Sequence, residues 1–165
     1  MRRVADHLVG FAAALALTAL MRRLLVMKFR SDVAALNRGD HGPLLAGYAE
    51  DAVLTFNDGP HRFSGEHRGR DAIEKFLKNF VAAGLQGEVL EAWTKGPPWA
   101  LSIAARFNDR ALAPDGREIY SNQVMFRLRT RWGRVVEQQD FYLDTVRMNE
   151  LERSLTELGV DPVDD

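Results

Sequence analysis

The sequence predicts an α+β fold, a cone-shaped roll in which helices pack on a strongly bent antiparallel sheet. In the first half of the chain, apolar residues recur mainly at helical spacing. In the second half, the period changes to two, and turns rich in glycine and proline separate four long segments. Helices followed by neighbouring strands form two layers, and a bent sheet roofed by helices encloses a natural pocket.

In the first half of the chain, the sequence predicts helices and one strand. Helical spacing runs through residues 30–37, and a short amphipathic helix is expected over residues 44–49. The β-rich run at residues 52–57 predicts a strand, because an Asp-Gly-Pro turn follows it directly. Residues 61–70 are polar and contain two histidines, and we interpret them as a solvated loop.

A further helix and four strands complete the domain. Asp71, with Glu74 three residues later, has the spacing of a capping box and predicts a helix that ends at Gly84. Asp144 is the expected N-cap of a closing helix. The predicted strands cover residues 88–95, 99–108, 118–129 and 134–145, and the closing helix covers residues 147–158.

The overall composition excludes several classes of function. The chain has 165 residues, of which 46% are hydrophobic and 27% charged, as in an ordinary globular domain. It contains no cysteine, which excludes disulfides, thiolate metal sites and a cysteine nucleophile, and which is typical of a cytoplasmic protein. With 22 basic and 23 acidic residues interspersed, no strongly basic surface is expected and therefore no nucleic-acid partner.

The first 23 residues form an apolar, helical extension. An uncharged run from Leu8 to Met21 lies between two pairs of arginines; it is shorter than the ~20 residues that span a bilayer and lacks a good cleavage site. Three alternatives stay open: a helix packed on the body or on a second subunit, a membrane-associated helix, and a cleaved signal. The expected organisation is an extension over residues 1–23, a domain over residues 24–159 and an acidic tail over residues 160–165.

Several stretches resemble one family. LNRGDHGPLLAGYAEDAVLTFNDG, EHRGRDAIEKFL and GRVVEQQDFYLDT are similar to the SnoaL-like branch of the nuclear transport factor two-like superfamily. The resemblance covers about Leu24 to Leu158 and implies the bent-sheet cone, a homodimer and a small-molecule pocket. The family includes polyketide cyclases, limonene epoxide hydrolase and ketosteroid isomerase as well as members without known catalysis, so the resemblance specifies the fold more closely than the function.

The alternation of side chains along the strands supplies the candidate site. We expect the even-numbered residues of the second, third and fourth long strands to line the cone, which brings together Asp140, Arg106 and Asn108. A carboxylate held by an arginine is suited to a general base, and a buried structural ion pair is the alternative. The resemblance to limonene epoxide hydrolase matches Asp140 but departs at Asn108, where that enzyme has a second aspartate. Expected ligand-binding residues are Asn57, Asn122, Gln138, Tyr142 and Tyr120.

Two functions follow from this reading. The first is a cofactor-free hydrolase, isomerase or cyclase that acts on a small, apolar, oxygen-bearing molecule, without a metal site. The second is a non-catalytic ligand-binding or dimerisation module, associated with a membrane through residues 1–23. A homodimer through the convex sheet face is expected, because Leu101, Ile103 and Phe107 are predicted to point outward.

Overall fold

The computed structural model describes the backbone of residues 2–163 and the side chains of residues 16–163. The described residues form four helices and six strands in one α+β arrangement, and the four long strands follow one another before the last helix, as the sequence predicts. The helices are α1 (Arg2–Leu36), α2 (Gly42–Leu45), α3 (Gly69–Ala82) and α4 (Thr145–Glu157), and the strands are β1 (Tyr48–Phe56), β2 (Gly65–Arg68), β3 (Leu85–Lys95), β4 (Ser102–Leu112), β5 (Glu118–Arg131) and β6 (Arg134–Tyr142).

The six strands form one sheet in the order β2-β1-β6-β5-β4-β3. Four of the five neighbouring pairs are antiparallel, whereas β1 and β6 run parallel. The four long strands pair antiparallel as predicted, but the sheet as a whole is mixed, because the final strand returns beside the first in parallel. The polar loop after β1 was also more ordered than expected, since residues 65–68 pair with β1 as strand β2.

Helix α1 crosses the 23/24 boundary without a break and lies along the edge strand β3. Arg22 donates to the carbonyl of Gly96 at 2.8 Å, and Arg30 donates to the carbonyl of Val89 at 2.8 Å. These bonds occupy carbonyl groups that an edge strand would otherwise leave without a partner. No helix among the described residues is long and apolar enough to cross a membrane.

The structure confirms some of the predicted helix boundaries and shifts others. Asp144 is the N-cap of α4, as predicted, and its carboxylate accepts from the backbone N–H groups of Val146 and Arg147. Asp71 does not cap α3, because the helix starts two residues earlier and places Asp71 in its first turn. The short helix α2 ends before Tyr48, which belongs to β1 and is buried. Of the acidic tail, Asp164 and Asp165 lie outside the described residues.

The inner face of β4 is the odd-numbered one, which reverses a prediction. Leu101, just before the strand, and Ile103 and Phe107 within it are 1%, 6% and 5% exposed and belong to the core. They were expected on the convex face, where they motivated a homodimer. The hydrophobic side of an amphipathic strand packs inward, so the even-numbered residues of β4 face outward. On β5, the buried residues Tyr120, Val124 and Phe126 are even-numbered, as predicted.

Candidate functional site

A small cavity lies inside the cone, between helix α1 and the inner face of the sheet. Its volume is about 70 Å³. Aromatic rings make up much of its wall, and Phe29 of α1 packs edge-on against Phe107 and Phe126 at centroid distances of 5.8 and 5.4 Å. The remaining lining is mostly aliphatic, so the few polar groups of this cavity are conspicuous: Tyr48, Asp109, Gln138, Asp140 and Tyr142.

Asp140 is held in a chain of hydrogen bonds. The Gln138 amide donates to Asp140 Oδ1 at 2.9 Å, and the Tyr48 hydroxyl donates to Gln138 Oε1. Gln138 and Asp140 share the inner face of β6 because they are two residues apart. Burial raises the pKa of Asp140 to about 7, since one amide donor and no cation stabilise its charge; the nearby Asp109 carboxyl raises it further.

A second carboxyl, that of Asp109, is buried in the same cavity. It accepts a hydrogen bond of 2.5 Å from the Tyr142 hydroxyl and is 4% exposed. Burial raises the pKa of Asp109 to about 6, and the bond from Tyr142 opposes that shift. Burial also holds the pKa of Tyr142 well above its usual value, so this tyrosine keeps its proton and acts as a donor.

The two carboxyls face an apolar interior without a compensating charge. Among the described residues that line the cavity, none carries a basic side chain. The ionised forms are therefore disfavoured, and the two protons come off in coupled steps. One protonated and one ionised carboxyl in a small apolar space can respectively give and take a proton.

An open cleft of about 1050 Å³ adjoins the cavity. The two spaces share three lining residues, Val33, Gly87 and Asp109. Gly87 lies directly opposite Asp109 in the β3–β4 pair. A side chain at Gly87 would place its Cβ 3.2 Å from Phe107 Cδ1 and 3.4 Å from Asp109 Oδ1. The absence of a side chain there keeps the Asp109 carboxyl open toward the cleft.

Arg106 and Asn108 were wrongly assigned to the interior. Arg106 is on the outer face and donates to Glu91 Oε1 at 2.9 Å, with 40% of its side chain exposed. Asn108, also outside, accepts from the Gln123 amide at 3.4 Å. An ion pair between Arg106 and Asp140 therefore does not exist. The error came from the parity of β4: its even-numbered residues were taken as the inner ones.

The other predicted binding residues divide into two groups. Gln138 and Tyr142 line the cavity with Asp140, whereas Tyr120 is buried outside its lining and donates to the sulfur of Met148. Asn122 lines the open cleft and donates to the Asp144 carbonyl at 2.7 Å. Asn57 lies elsewhere: its amide donates to His61 Nε2 at 3.3 Å, and the cavity lining does not include it.

Sequence reasoning missed three buried polar residues among those described, His61, Asn79 and Asp109; Asn79 lies outside the cavity lining. His61 is 8% exposed rather than solvated, and burial lowers its pKa. Asp109 could have been found, because it continues the apolar alternation of Leu101, Ile103 and Phe107, and a carboxyl on the apolar side of a strand is a signal of function. Within the side chains of residues 16–163, no group of three His, Asp or Glu residues could hold a metal ion.

Solved structures with the same fold agree with this architecture. Bal32a, from a soil-derived mobile gene cassette, is 20% identical with a TM-score of 0.67, covering 81% of this chain and 99% of its own. An NTF2-like protein of unknown function from Burkholderia pseudomallei is 25% identical with a TM-score of 0.65, covering 78% and 96%. TerC, co-crystallised with polyporic acid, is 17% identical with a TM-score of 0.65, covering 78% and 98%.

The sequence itself matches a family model. No curated protein matches this chain. The model of the SnoaL-like domain, however, matches residues 29–138, about two-thirds of the chain, from α1 to the middle of β6. The matched region includes both sides of the cavity, with Phe29 at its start and Gln138 at its end. Sequence and fold therefore agree that this chain belongs to the SnoaL-like family of NTF2-like proteins.

Proposed function

We propose that this protein is a cofactor-free acid–base enzyme that acts on a small, largely apolar molecule carrying an oxygen function. The observation that carries the proposal is the pair of buried carboxyls, Asp109 and Asp140, in one apolar cavity. Their pKa values of about 6 and about 7 lie near neutral pH, where a general acid and a general base are most effective. TerC, of the same fold, was co-crystallised with polyporic acid, which supports small-molecule binding.

The size of the two spaces determines how a ligand would be placed. The 70 Å³ interior has room for a few waters or the reacting end of a ligand, whereas ligand pockets usually have about 300–1,000 Å³. The adjoining cleft of about 1050 Å³ is large enough for the rest of the molecule. We therefore place the reacting oxygen between Asp109 and Asp140, and the body of the ligand beside Gly87.

We assign the roles from the hydrogen bond at Asp109: the Tyr142 hydroxyl keeps its proton and donates to this carboxyl, which favours its ionised form. Between about pH 6 and 7, Asp109 is mainly ionised and takes a proton from the substrate or from a water, while Asp140 is mainly protonated and donates to the developing oxyanion. Asp140, which sequence analysis assigns as the general base, becomes the base after it has given up its proton. Gln138 and Tyr48 hold its carboxyl in position through their hydrogen bonds.

Deuterium uptake at the α-carbon of 2-tetralone, followed by proton NMR in D2O, tests the proposal. This apolar ketone needs no cofactor and reports proton abstraction directly. We expect the wild type to accelerate the exchange, with a rate that rises through about pH 6 and falls above about pH 7. Asp109→Asn and Asp140→Asn should each lower the rate by roughly 10²–10⁴-fold, whereas Asp115→Asn in an exposed turn should not.

A wild type that binds 4-fluorophenol in native mass spectrometry, but does not accelerate the exchange, would contradict the catalytic proposal. That outcome would support the second candidate, a ligand-binding or dimerisation module.

One observation favours a dimer: the outer face of the sheet carries an exposed apolar patch. Trp93 and Phe141 are each 49% exposed, and Met125 lies between Arg106 and Phe141 in the register.

Light scattering tests this homodimer. If two copies meet through their outer sheet faces, Phe141→Arg should convert the dimer to a monomer, because it places a charge in an apolar contact. Leu158→Arg is the matched control, since Leu158 is 40% exposed at the end of α4, away from the sheet face. A wild type that is monomeric at micromolar concentration would contradict the dimer.

A further inference from the structure

One end of the molecule exposes large apolar residues from three separate segments. The β3–β4 connection and the β5–β6 turn meet there, because the backbone N–H of Trp132 donates to the carbonyl of Trp99 at 2.9 Å. Helix α1 reaches the same end, where Arg22 donates to the carbonyl of Gly96 at 2.8 Å. We call this region the tip: Trp99, Trp132 and residues 16–27 of α1.

Both tip tryptophans point into solvent. Trp132 is 79% exposed and Trp99 is 54% exposed. Trp132 also has a positive φ of 51°, followed by Gly133 at 78°. Two successive positive φ values favour Asn-Gly, and a bulky residue at the first position is strained there. A tryptophan that is both strained and exposed indicates a role outside the fold.

Helix α1 adds an apolar stripe on its free side. Leu25, Phe29 and Val33 of this helix pack against the sheet. On the opposite side of the helix lie four residues at spacings of three and four, all more than half exposed: Leu17, Leu20, Leu24 and Met27. Upstream, the sequence stays uncharged back to Leu8.

The charge of the tip favours an anionic membrane over a second copy of this chain as its partner. Residues 16–27 contain two basic side chains, Arg22 and Arg23, and no acidic one, whereas Lys28 just beyond them pairs with Asp32. A second copy of the same stripe would bring these like charges together. Exposed tryptophans and an apolar helical stripe flanked by basic residues are instead the features that proteins use at a bilayer surface with anionic lipids.

We propose that the tip docks this domain on an anionic membrane surface. Trp99 and Trp132 insert at the level of the headgroups, and α1 lies with its stripe against the acyl chains. The open cleft lies at the other end of α1, beside Arg30 and Asn37, and therefore stays in water while the tip is bound.

Vesicle flotation of the full chain tests the proposal. We expect binding to vesicles of phosphatidylcholine and phosphatidylglycerol at 7:3 and weak binding to phosphatidylcholine alone, with affinity falling as salt increases. Trp99→Ala combined with Trp132→Ala should weaken binding by about tenfold or more, because each inserted indole buries apolar surface. Leu20→Glu combined with Leu24→Glu should do the same.

Two controls separate docking from misfolding. Trp132→Asn places a turn-favouring residue at the strained position, so it should keep or raise the melting temperature while weakening vesicle binding. Leu158→Ala removes an exposed apolar side chain at the end of α4, outside both the tip and the outer sheet face, and should leave binding unchanged. The proposal is overturned if the wild type does not float, if the tip variants bind as well as the wild type, or if the stripe variants dissociate a dimer without affecting vesicle binding.

Discussion

The two faces of the central sheet depart from the usual distribution of residues in opposite directions. The inner face is apolar but carries two carboxyls, Asp109 and Asp140, and no basic side chain of residues 16–163 lines their cavity. The outer face is polar, with ion pairs such as Arg106 to Glu91, but exposes aromatic side chains such as Phe141. Neither departure stabilises the isolated domain, since buried charge and exposed apolar surface are both unfavourable. The inner departure indicates chemistry, and the outer one indicates an interface.

The largest effect expected on stability is at the inner face. The pKa of Asp140 is raised from 3.8 to about 7, so between these values the folded state holds a proton that the unfolded state has released. Stability therefore falls as pH rises from about 4 to about 7. Asp140→Asn removes this penalty and should stabilise the protein at pH 8 by on the order of 2 kcal/mol.

Urea unfolding at pH 4 and pH 8 measures this difference. The gain in Asp140→Asn should be small at pH 4 and full at pH 8, and Asp109→Asn should show the same trend with a smaller gain, because the pKa of Asp109 is raised less. Asp115→Asn, at an exposed turn, is the matched control. Equal effects at the two pH values would show that Asp140 is already ionised in the folded state.

A second prediction concerns the passage between the cleft and the inner face. Gly87→Val should crowd Phe107 and Asp109 and slow the reaction of Asp140 with a water-soluble carbodiimide and methylamine. Because the valine side chain occupies the space beside Phe107 and Asp109, the labelling rate should fall below that of the wild type. Peptide mass spectrometry measures the labelling, and the exposed Asp115 serves as internal control.

Two milder variants sharpen this test. Gly87→Ala should give an intermediate rate, since its Cβ alone requires Phe107 to move by a few tenths of an ångström. Val33→Ala should widen the same passage from the side of α1 and accelerate the labelling. If all three variants label Asp140 at the wild-type rate, access does not run past Gly87, whether or not the protein is an enzyme.

The two faces also differ in how much of their structure could be predicted from the sequence. Periodicity and turn residues were sufficient for the order of the helices and the four long strands, and for the cap at Asp144, because these signals are local. The parallel pairing of β1 with β6 was not predictable from them, since register between distant strands depends on the whole sheet. The inner face of β6 was assigned correctly, which placed Gln138, Asp140 and Tyr142.

The inner face of β4 was predicted wrongly, although the hydrophobic residues of the strand indicated the correct one. Arg106 and Asn108 were placed inside because the even-numbered residues of the long strands were expected to line the cone, although Leu101, Ile103 and Phe107 made the other side of β4 the hydrophobic one. A slip of one residue exchanges the two faces of a strand completely. The same slip hid Asp109, which is adjacent to Asn108 in sequence but on the opposite face.

The smallest predicted effect tests this reversal directly. If Arg106 were buried with Asp140, removing it would leave an unpaired interior charge and cost about 3–5 kcal/mol. The structure instead pairs Arg106 with Glu91 on the outer face, where 40% and 50% of the two side chains are exposed. An exposed ion pair contributes about 0–1 kcal/mol, so Arg106→Ala should change the free energy of unfolding by less than about 1 kcal/mol. Urea unfolding at low and at high salt distinguishes the cases, because salt screens the exposed pair and not a buried one. A loss of several kcal/mol that persists at high salt would place Arg106 inside after all.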